Sequence, residues 1–276
     1  SDPEVKIKKD IEWTETDEQW KNRRTKSNST LQVTIERTDR SMVNEDGLTI
    51  ASIYYDRPVV SGDTVAAEKI TQFFEDEEQD WFAGRGRLLH IPGNDLEECP
   101  EINVLDIICE DIEKMRERYG DEDVAEWLCL YSVEARIMYM DENILSILQV
   151  EETRTERGGW RYFGCTFDLN TGELLKLTDL VDISVGDMEN ILSKVGYPDA
   201  YNVLSDDYIV SIDGKEINMA YQFCVDEKYL YLLDNTTKRY RDGMIYRVDE
   251  TGEPVKLRCK VKREDHKNRI HSEIID

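Results

Sequence analysis

Apolar residues recur at two different intervals along this chain, and the interval predicts where helices give way to strands. Between residues 66 and 81 the apolar positions fall at helical spacing, behind N-cap candidates at 61–64. The opposite face of this predicted helix carries Glu75, Asp76, Glu78 and Asp80. A second apolar stripe at helical spacing runs from 102 to 119, with Pro100 in its first turn and Gly120 at its end.

The period changes from 3.6 to 2 residues at about residue 128, which predicts strands. Two alternating runs, 128–140 and 144–155, flank a hairpin loop at 141–143, and 160–167 and 174–177 flank a turn at 170–172. Earlier strands are predicted at 31–35 and at 48–55, the latter ending before Pro58. This order describes an antiparallel meander.

After the meander, Thr178 and Asp179 are predicted to cap a helix that extends to about Val195, with Gly196 at its C-cap. Five further strands are predicted, at 208–212, 217–225, 229–233, 244–248 and 255–261. Strands and helices come in blocks, so we predict an α+β fold, an antiparallel meander packed with two to three helices, over a parallel-sheet α/β fold.

We divide the chain into four segments. Residues 1–44 are predicted to form an N-terminal arm and linker, 45–127 an α+β subdomain, 128–262 an antiparallel β-rich domain with one helix, and 263–276 a charged tail. The two central segments would form subdomains of similar size. No run approaches the ~20 apolar residues that cross a bilayer, so we expect no membrane span, while an anchor or export signal before Ser1 stays open.

The charge of the chain is strongly acidic and unevenly distributed. The chain has 35 Lys and Arg and 60 Asp and Glu, a net charge of −25, and this negative field repels nucleic acid. Residues 41–255 carry the whole excess, with 47 acidic and 19 basic groups, whereas the two ends of the chain are not acidic. Such a body would attract a cationic partner, and the plainer interpretation is a solvated surface that maintains solubility.

The residues that would carry common chemistry are sparse. The six cysteines form no Cys-x-x-Cys pair and lie near no histidine, which argues against a zinc site, and we expect mostly free thiols. His90 is expected to be a partly buried structural residue at a strand end. Asp168, Asn170 and Glu173 present oxygen atoms but lack the further ligands of an EF-hand, so a tight turn is favoured over calcium.

Acidic pairs are too frequent in this composition to mark a catalytic site. Candidate pairs for a glycosidase occur at 97–98, 121–123 and 206–207. Phosphate loops, nucleophile elbows and zinc-protease motifs are missing from the sequence. We therefore predict a protein that is not an enzyme, with no catalytic residues, no metal site and no cofactor.

The segment 144–182 resembles a known family. Its Ser146–Val150 run, the Gly158-Gly159-Trp160 turn and the stretch Thr166-Phe-Asp-Leu-Asn-Thr-Gly-Glu-Leu-Leu-Lys-Leu-Thr-Asp-Leu180 are similar to the extracytoplasmic domain of RsiV-type anti-sigma factors, which is also appended to PdaC-type peptidoglycan deacetylases. The family turn usually reads Gly-Gly-Ala-His-Gly, whereas Trp160 follows the two glycines here. In outline the resemblance extends over residues 45–260.

This resemblance implies a non-catalytic, extracytoplasmic binding or sensing module of a bacterial cell envelope. In the anti-sigma branch the partner is lysozyme, a cationic protein, and a cell-wall component is the other candidate. The candidate partner-binding turn is formed by Gly158, Gly159 and Trp160. Two alternatives remain at this stage, a carboxylate-dependent hydrolase acting on cell-wall glycan and a scaffold protein without a specific ligand.

Overall fold

A computed structural model of the chain describes residues 6–7, 31–84, 90–92, 104–127, 129–154, 159–182, 184–194, 209–212, 215–227, 229–235, 244–249, 254–262 and 271–275. The helices are α1 (Val65–Phe82), α2 (Val104–Tyr119), α3 (Asp121–Trp127), α4 (Leu177–Leu180) and α5 (Val185–Ser193). The first strands are β1 (Lys6–Ile7), β2 (Gln32–Asp39), β3 (Met42–Val43), β4 (Thr49–Ser61), β5 (Cys129–Met140), β6 (Ile144–Arg154), β7 (Gly159–Asp168) and β8 (Val181–Asp182). The remaining strands are β9 (Ile209–Ile212), β10 (Lys215–Asn218), β11 (Phe223–Val225), β12 (Tyr229–Asp234), β13 (Met244–Asp249), β14 (Pro254–Lys262) and β15 (His271–Ile275).

Two sheets dominate the structure, and the α+β prediction is confirmed. The larger sheet has the order β2-β4-β5-β6-β7, with β3 also paired to β4, and the second sheet has the order β11-β12-β13-β14-β15. The pairings are antiparallel except for β4 with β5, which run parallel. The chain between β4 and β5 contains α1, α2 and α3, because a parallel connection needs a long crossover.

Helix α1 forms where the apolar spacing predicted it. Thr64 caps its first turn by accepting a hydrogen bond from the Ala67 N–H at 3.1 Å. Its apolar stripe packs on one face of the larger sheet, in a cluster with residues of β6 and β7; this cluster contains Leu31, Val60, Ala67, Ile70, Phe74, Leu145, Ile147, Cys165, Phe167 and Leu169. Helix α2 ends at Gly120 as predicted, where φ is +85°, but the chain then continues directly into α3.

Strand β4 is longer than predicted, because it continues through Pro58 to Ser61. Proline lacks an N–H and usually ends a strand that has neighbours on both sides. Here pairing with β5 extends only from Ala51 to Tyr55, so Pro58 interrupts no hydrogen bond between those two strands. Pro58 is therefore tolerated inside β4, because the pairing with β5 ends before it.

Two predictions around residue 177 are wrong. The predicted strand at 174–177 is reduced to a single bridge between Leu174 and Phe167, since α4 already begins at Leu177. The single helix predicted to reach Val195 is split into α4 and α5 by β8, and α5 has its own N-cap, Ser184. The split places one continuous apolar cluster against the second sheet; it includes Leu177, Leu180, Val181, Met188, Ile191, Leu192, Phe223, Val225, Leu230 and Leu232.

The later strands match their predicted positions, with one division. A short 3-10 turn, Met219–Tyr221, separates β10 from β11 within the predicted run at 217–225. Residues 271–275, in the predicted charged tail, pair with β14 as β15. The division of the body at residue 127 stays a prediction, and the pairing of β4 with β5 joins the strands on its two sides.

The second sheet packs on the face of the larger sheet that lies opposite α1. The buried residues at this contact are Met138, Leu148, Val150 and Tyr162 from the larger sheet, and Cys224, Tyr231 and Leu233 from the second. Strand β11 also meets β6 and β7 through buried polar groups, Ser146 of β6 and Thr166 of β7. The Ser146 hydroxyl accepts from the Val225 N–H at 2.9 Å, and it lies 2.9 Å from the Thr166 hydroxyl.

Candidate functional site

The candidate turn leads directly into an edge strand. Gly158 lies outside the described residues, whereas Gly159 and Trp160 are the first residues of β7, opposite Thr153 and Glu152. The Trp160 side chain is half-buried and packs against the cluster between the two sheets. Part of this aromatic side chain therefore contributes to the core, and a partner-binding role for the turn stays a prediction.

Trp160 belongs to a row of directly opposed residues that crosses the larger sheet. Asp39 lies opposite Tyr54, Tyr54 opposite Ser132, Ser132 opposite Glu152, and Glu152 opposite Trp160. Directly opposed residues share a face of a sheet, so this row connects the predicted turn with strands far from it in sequence. Ser132 and Glu152 are buried, at 1% and 7% exposure. We call these five residues the polar row.

A charged cluster flanks the polar row at β2 and β4. The Arg37 guanidinium binds both carboxylate oxygens of Asp56, with Nε to Oδ1 at 2.6 Å and Nη2 to Oδ2 at 2.8 Å, and it stacks 3.9 Å over the Tyr54 ring. The Tyr54 hydroxyl donates to Glu134 at 2.8 Å. Paired in this way, the groups hold β2 on β4.

The electrostatics of this cluster keep Tyr54 protonated. Burial, followed by the charge of Glu134, raises the pKa of Tyr54 well above its ordinary value. The hydrogen bond to Asp56 raises the pKa of Arg37, which is ionised at all physiological pH values. The cluster is thus an ion pair of Arg37 and Asp56 with a neutral phenol beside it. Neither the guanidinium nor the phenol releases a proton near neutral pH.

Three acidic residues of α1 are buried and do not belong to a solvated surface. Glu77, Glu78 and Asp80 are buried, at 1%, 9% and 5% exposure. Arg57 of β4 reaches this helix, with Nη1 to Glu75 at 3.2 Å and Nε to Glu78 at 3.5 Å. The interpretation of the charge as surface solvation is therefore wrong for these three positions, and Arg57 of another element compensates the buried Glu78.

His90 provides a second contact to the same helix. Its Nε2 lies 2.7 Å from Asp80 Oδ2, and its Nδ1 lies 4.0 Å from Asp76. The ring is 22% exposed, so the expectation of a partly buried structural histidine is confirmed, although the residue lies in a turn and not at a strand end. The neighbouring Ile91 is buried, and the contact of His90 with Asp80 holds the turn 90–92 on α1.

Seven exposed acidic side chains lie on α2 and α3, together with the exposed cations Lys114 and Arg118. We call this surface the acidic helix face; its exposed carboxylates belong to Asp106, Glu110, Asp111, Glu113, Glu117, Glu122 and Asp123. Lys114 lies 3.7 Å from both Glu110 and Asp111. Because the apolar side of α2 packs through Ile108 and Ile112 onto β4, the acids necessarily face away from the sheet.

One carboxylate between these two helices is individually bound. Asp121 accepts from Arg116 Nε at 2.6 Å and from Asn44 Nδ2 at 3.1 Å. The hydrogen bond from Arg116, followed by that from Asn44, lowers the pKa of Asp121. Of the acidic pairs considered for hydrolysis, 121–123 is the one that falls within the described residues, whereas 97–98 and 206–207 lie outside them.

The loop considered for calcium is a tight turn that rests on α1. Asp168 Oδ1 accepts from the Asn170 N–H at 2.8 Å, and Gly172 has a φ of +76°. A Cβ at Gly172 would lie 2.8 Å from Ala66 Cα, so glycine also permits the close approach to the helix. Within the ranges described above, no group of three His, Cys, Asp or Glu side chains is arranged to hold a metal ion.

Two of the solved structures that the chain resembles are DUF3298 family proteins. The chain is similar to a crystal structure of a DUF3298 family member from Bacteroides fragilis, with 13% identity, 82% of this chain and 88% of that chain covered, and a TM-score of 0.41. It is also similar to a DUF3298 family protein from Pseudomonas aeruginosa, with 8% identity, 75% and 84% covered, and a TM-score of 0.38. No family model and no curated protein matches the chain. None of the helices that the structure describes is both long and apolar enough to cross a bilayer.

Proposed function

We propose that this chain is a non-catalytic binding or sensing module outside the cytoplasm, at a bacterial cell envelope. On this proposal its acidic body binds a cationic protein of the lysozyme type, and a cell-wall component is the alternative ligand. The observation that carries the proposal is the acidic helix face, where seven exposed carboxylates lie on two consecutive helices. The resemblance of residues 144–182 to RsiV-type anti-sigma factors supports the same class of partner.

The physical basis of binding would be long-range attraction followed by contact with α2 and α3. A chain with a net charge of −25 attracts cations from every direction, and the acidic helix face concentrates that field at one surface. The buried acids of α1 cannot contribute contacts, since Arg57 and His90 already bind Glu78 and Asp80. Charge of this kind mainly raises the association rate and is screened by salt.

Hydrolysis by paired carboxylates has less support in the described part of the chain. Asp121 is committed to Arg116 and Asn44, and Glu151 accepts from the Trp81 indole N–H at 2.8 Å. Because Arg116 lowers its pKa, the Asp121 carboxyl is ionised and does not protonate a leaving group. We therefore propose a protein without catalytic activity.

The test compares two neutralised variants that have the same change in net charge. The first removes four charges from the acidic helix face, by Glu110→Gln, Asp111→Asn, Glu113→Gln and Glu117→Gln. The control removes four exposed charges elsewhere, by Asp63→Asn, Glu68→Gln, Glu142→Gln and Glu173→Gln. Binding to lysozyme and to insoluble peptidoglycan is measured at low salt and at 0.5 M salt.

The proposal expects lysozyme binding at low salt that weakens at 0.5 M, because exposed charges are screened within about 10 Å at 0.1 M salt. The first variant should lose about tenfold or more in affinity for lysozyme, which corresponds to about 1.4 kcal/mol of binding free energy. The control variant should lose much less. Equal losses would show that net charge matters and the helix face does not. Binding to peptidoglycan alone would replace the protein partner with a cell-wall ligand, and binding to neither would overturn the proposal.

A further inference from the structure

The outer edge of the larger sheet is formed by an exposed strand. Among the described strands β2 is the last on this side, and six of its eight residues are exposed, with Ile35 at 37%. An edge strand presents a row of N–H and C=O groups that can pair with another chain, and many proteins hide or interrupt such edges. β2 is eight residues long and contains no proline.

Three observations establish which residues of β2 direct their backbone groups outward. Ile35 lies opposite Pro58, which has no N–H to donate, and Val33 lies opposite Val60, whose N–H and C=O both bind the Thr71 hydroxyl at 3.0 Å. In antiparallel pairs, residues alternate between hydrogen-bonded and non-hydrogen-bonded positions. Val33 and Ile35 are therefore non-hydrogen-bonded to β4, and their backbone groups point to the outer edge.

The next residues follow the same alternation. The Arg40 N–H, five residues after Ile35, donates to the Ile53 C=O at 2.8 Å, which places even-numbered residues on the β4 side. Arg37 accordingly presents its N–H and C=O outward as well, while its side chain is held by Asp56. The outer edge thus offers the backbone groups of Val33, Ile35 and Arg37 on a strand that is already ordered, which lowers the entropy cost of binding.

The surroundings of this edge indicate a basic partner. Asp39 on β2 and Glu45 and Asp46 in the turn after β3 are exposed, whereas Glu36, 59% exposed, already binds Arg57 Nη2 at 3.0 Å. β3 continues along the same side of β4 toward the acidic helix face, where Met42 lies 3.7 Å from Cys109 of α2 and Asn44 binds Asp121 of α3. A second copy of the chain would bring another charge of −25 to this edge, so self-association is disfavoured.

The geometry points to β2 as a docking edge for an extended basic segment of a partner protein, which would add a strand to the larger sheet. Main-chain hydrogen bonds to Val33, Ile35 and Arg37 would supply affinity, and lysine or arginine side chains of the segment would face Asp39 and the acidic helix face. This inference rests on the proposed function, because it assigns a contact surface for the same cationic partner.

The probe is an eight-residue peptide, Lys-Val-Lys-Thr-Lys-Val-Lys-Thr, added to the full chain at low salt. Amide hydrogen exchange is followed by NMR, residue by residue. Binding at the edge should slow exchange about tenfold or more at Val33, Ile35 and Arg37, while Thr34 and Glu36, on the β4 side, should change little. The control peptide has the same charge but proline in place of both valines. It lacks two of the N–H groups that could pair with β2, and it should bind weakly.

Two variants at one position separate backbone pairing from side-chain contact. Ile35→Pro removes an outward N–H, and Ile35→Thr keeps that N–H and changes only the side chain. Peptide affinity should fall about tenfold or more in the proline variant and little in the threonine variant, with thermal unfolding as the check that both fold. Should Ile35→Pro fail to fold, the exchange measurement on the unaltered chain still decides the question.

The failures of the two proposals are distinguishable. If lysozyme binds the chain at low salt while the amides of Val33, Ile35 and Arg37 exchange at unchanged rates with peptide, the docking edge is wrong and the proposed function stands. If lysozyme and peptidoglycan both fail to bind but the peptide slows these amides, the edge is real and the proposed function is wrong. Equal slowing at all β2 amides would indicate general stabilisation and overturn the edge.

Discussion

The side chain of Gln222 hydrogen-bonds to both backbone groups of Gly164. Its Oε1 accepts from the Gly164 N–H and its Nε2 donates to the Gly164 C=O, each at 3.4 Å. Tyr162, two residues earlier on β7, is bound in the same way by Asn235. Its N–H donates to Asn235 Oδ1 at 3.0 Å, and its C=O accepts from Asn235 Nδ2 at 2.8 Å. Two amide side chains therefore cover the outer edge of β7 in place of another strand, and they fix the second sheet on the first.

Gly164 should not tolerate a side chain. A Cβ at this position would overlap the Phe223 carbonyl oxygen of β11, and that atom is backbone and cannot rotate away. We expect Gly164→Ala to lower the free energy of unfolding by about 1–3 kcal/mol or more, the range for overpacking a core. Chemical denaturation measures this difference.

Gly186→Ala is the matched control for the glycine substitution. Gly186 lies in α5 with no atom within 4 Å of an added Cβ, so alanine should stabilise the helix by about 0.5–1 kcal/mol. Equal effects of the two substitutions would contradict the close packing of β7 against β11.

Replacing Gln222 should lower the free energy of unfolding, because it removes the hydrogen bonds that cover the edge of β7. Gln222→Met keeps the length of the side chain but leaves the buried N–H and C=O of Gly164 without these two bonds, since Gln222 is 3% exposed. The expected loss is about 1–3 kcal/mol of unfolding free energy. Gln79→Met, at an exposed position of α1, should change stability by less than about 0.5 kcal/mol. A loss of similar size at both positions would argue against the edge contact.

The raised pKa of Tyr54 predicts a loss of stability in alkali. A tyrosine whose folded-state pKa lies above its unfolded value contributes stability that is complete below about pH 10 and is lost as pH rises through the folded value. Tyr54→Phe should therefore make the unfolding free energy fall less steeply between about pH 10 and pH 11. Denaturation at several pH values measures the slope.

Glu134→Gln provides an independent check on the same group. Burial is the first cause of the raised pKa of Tyr54 and the Glu134 charge is the second, so removing that charge should lower the pKa of Tyr54 while leaving it above the ordinary value. Absorbance of ionised tyrosine in the Glu134→Gln variant should then rise at a lower pH than in the unaltered chain. An unchanged titration would remove Glu134 as a cause.

The described cysteines should differ in their reactivity. Cys109, Cys165 and Cys224 form no disulfide, in agreement with the expectation from their spacing, and of these three Cys109 is half-buried while the other two are buried. In the native state alkylation should label Cys109 first, whereas Cys165 and Cys224 should react only upon unfolding. Mass spectrometry of peptides after timed alkylation distinguishes the three. Rapid labelling of Cys165 would contradict its burial between α1 and the sheet.

The local elements were largely predictable because their signals are local. Thr64 and the apolar spacing behind it identify α1, and Gly120 identifies the end of α2, since capping and periodicity act within a few residues. Pro58 shows where this reasoning fails. Its missing N–H matters only if a strand lies on that side, and the extent of β5 is not encoded near Pro58.

The candidate site was less predictable than the elements. Trp160 was singled out from the turn, but the polar row that joins it to Tyr54 depends on the register of three strand pairs. Register is set by packing over the whole sheet, and a shift of one residue would move each of these side chains to the other face. Sequence alternation identified the strands without showing which residues oppose one another.

The sequence by itself determined the acidic composition, the α+β class and the positions of most helices and strands. Only the tertiary structure decided which carboxylates are buried with Arg57 and His90 and which form the acidic helix face. It also decided that β7 is covered by Gln222 and Asn235, while β2 ends the larger sheet among the strands that the structure describes. The reason is that burial and strand pairing depend on contacts between residues far apart in the chain, which composition and short-range periodicity do not specify.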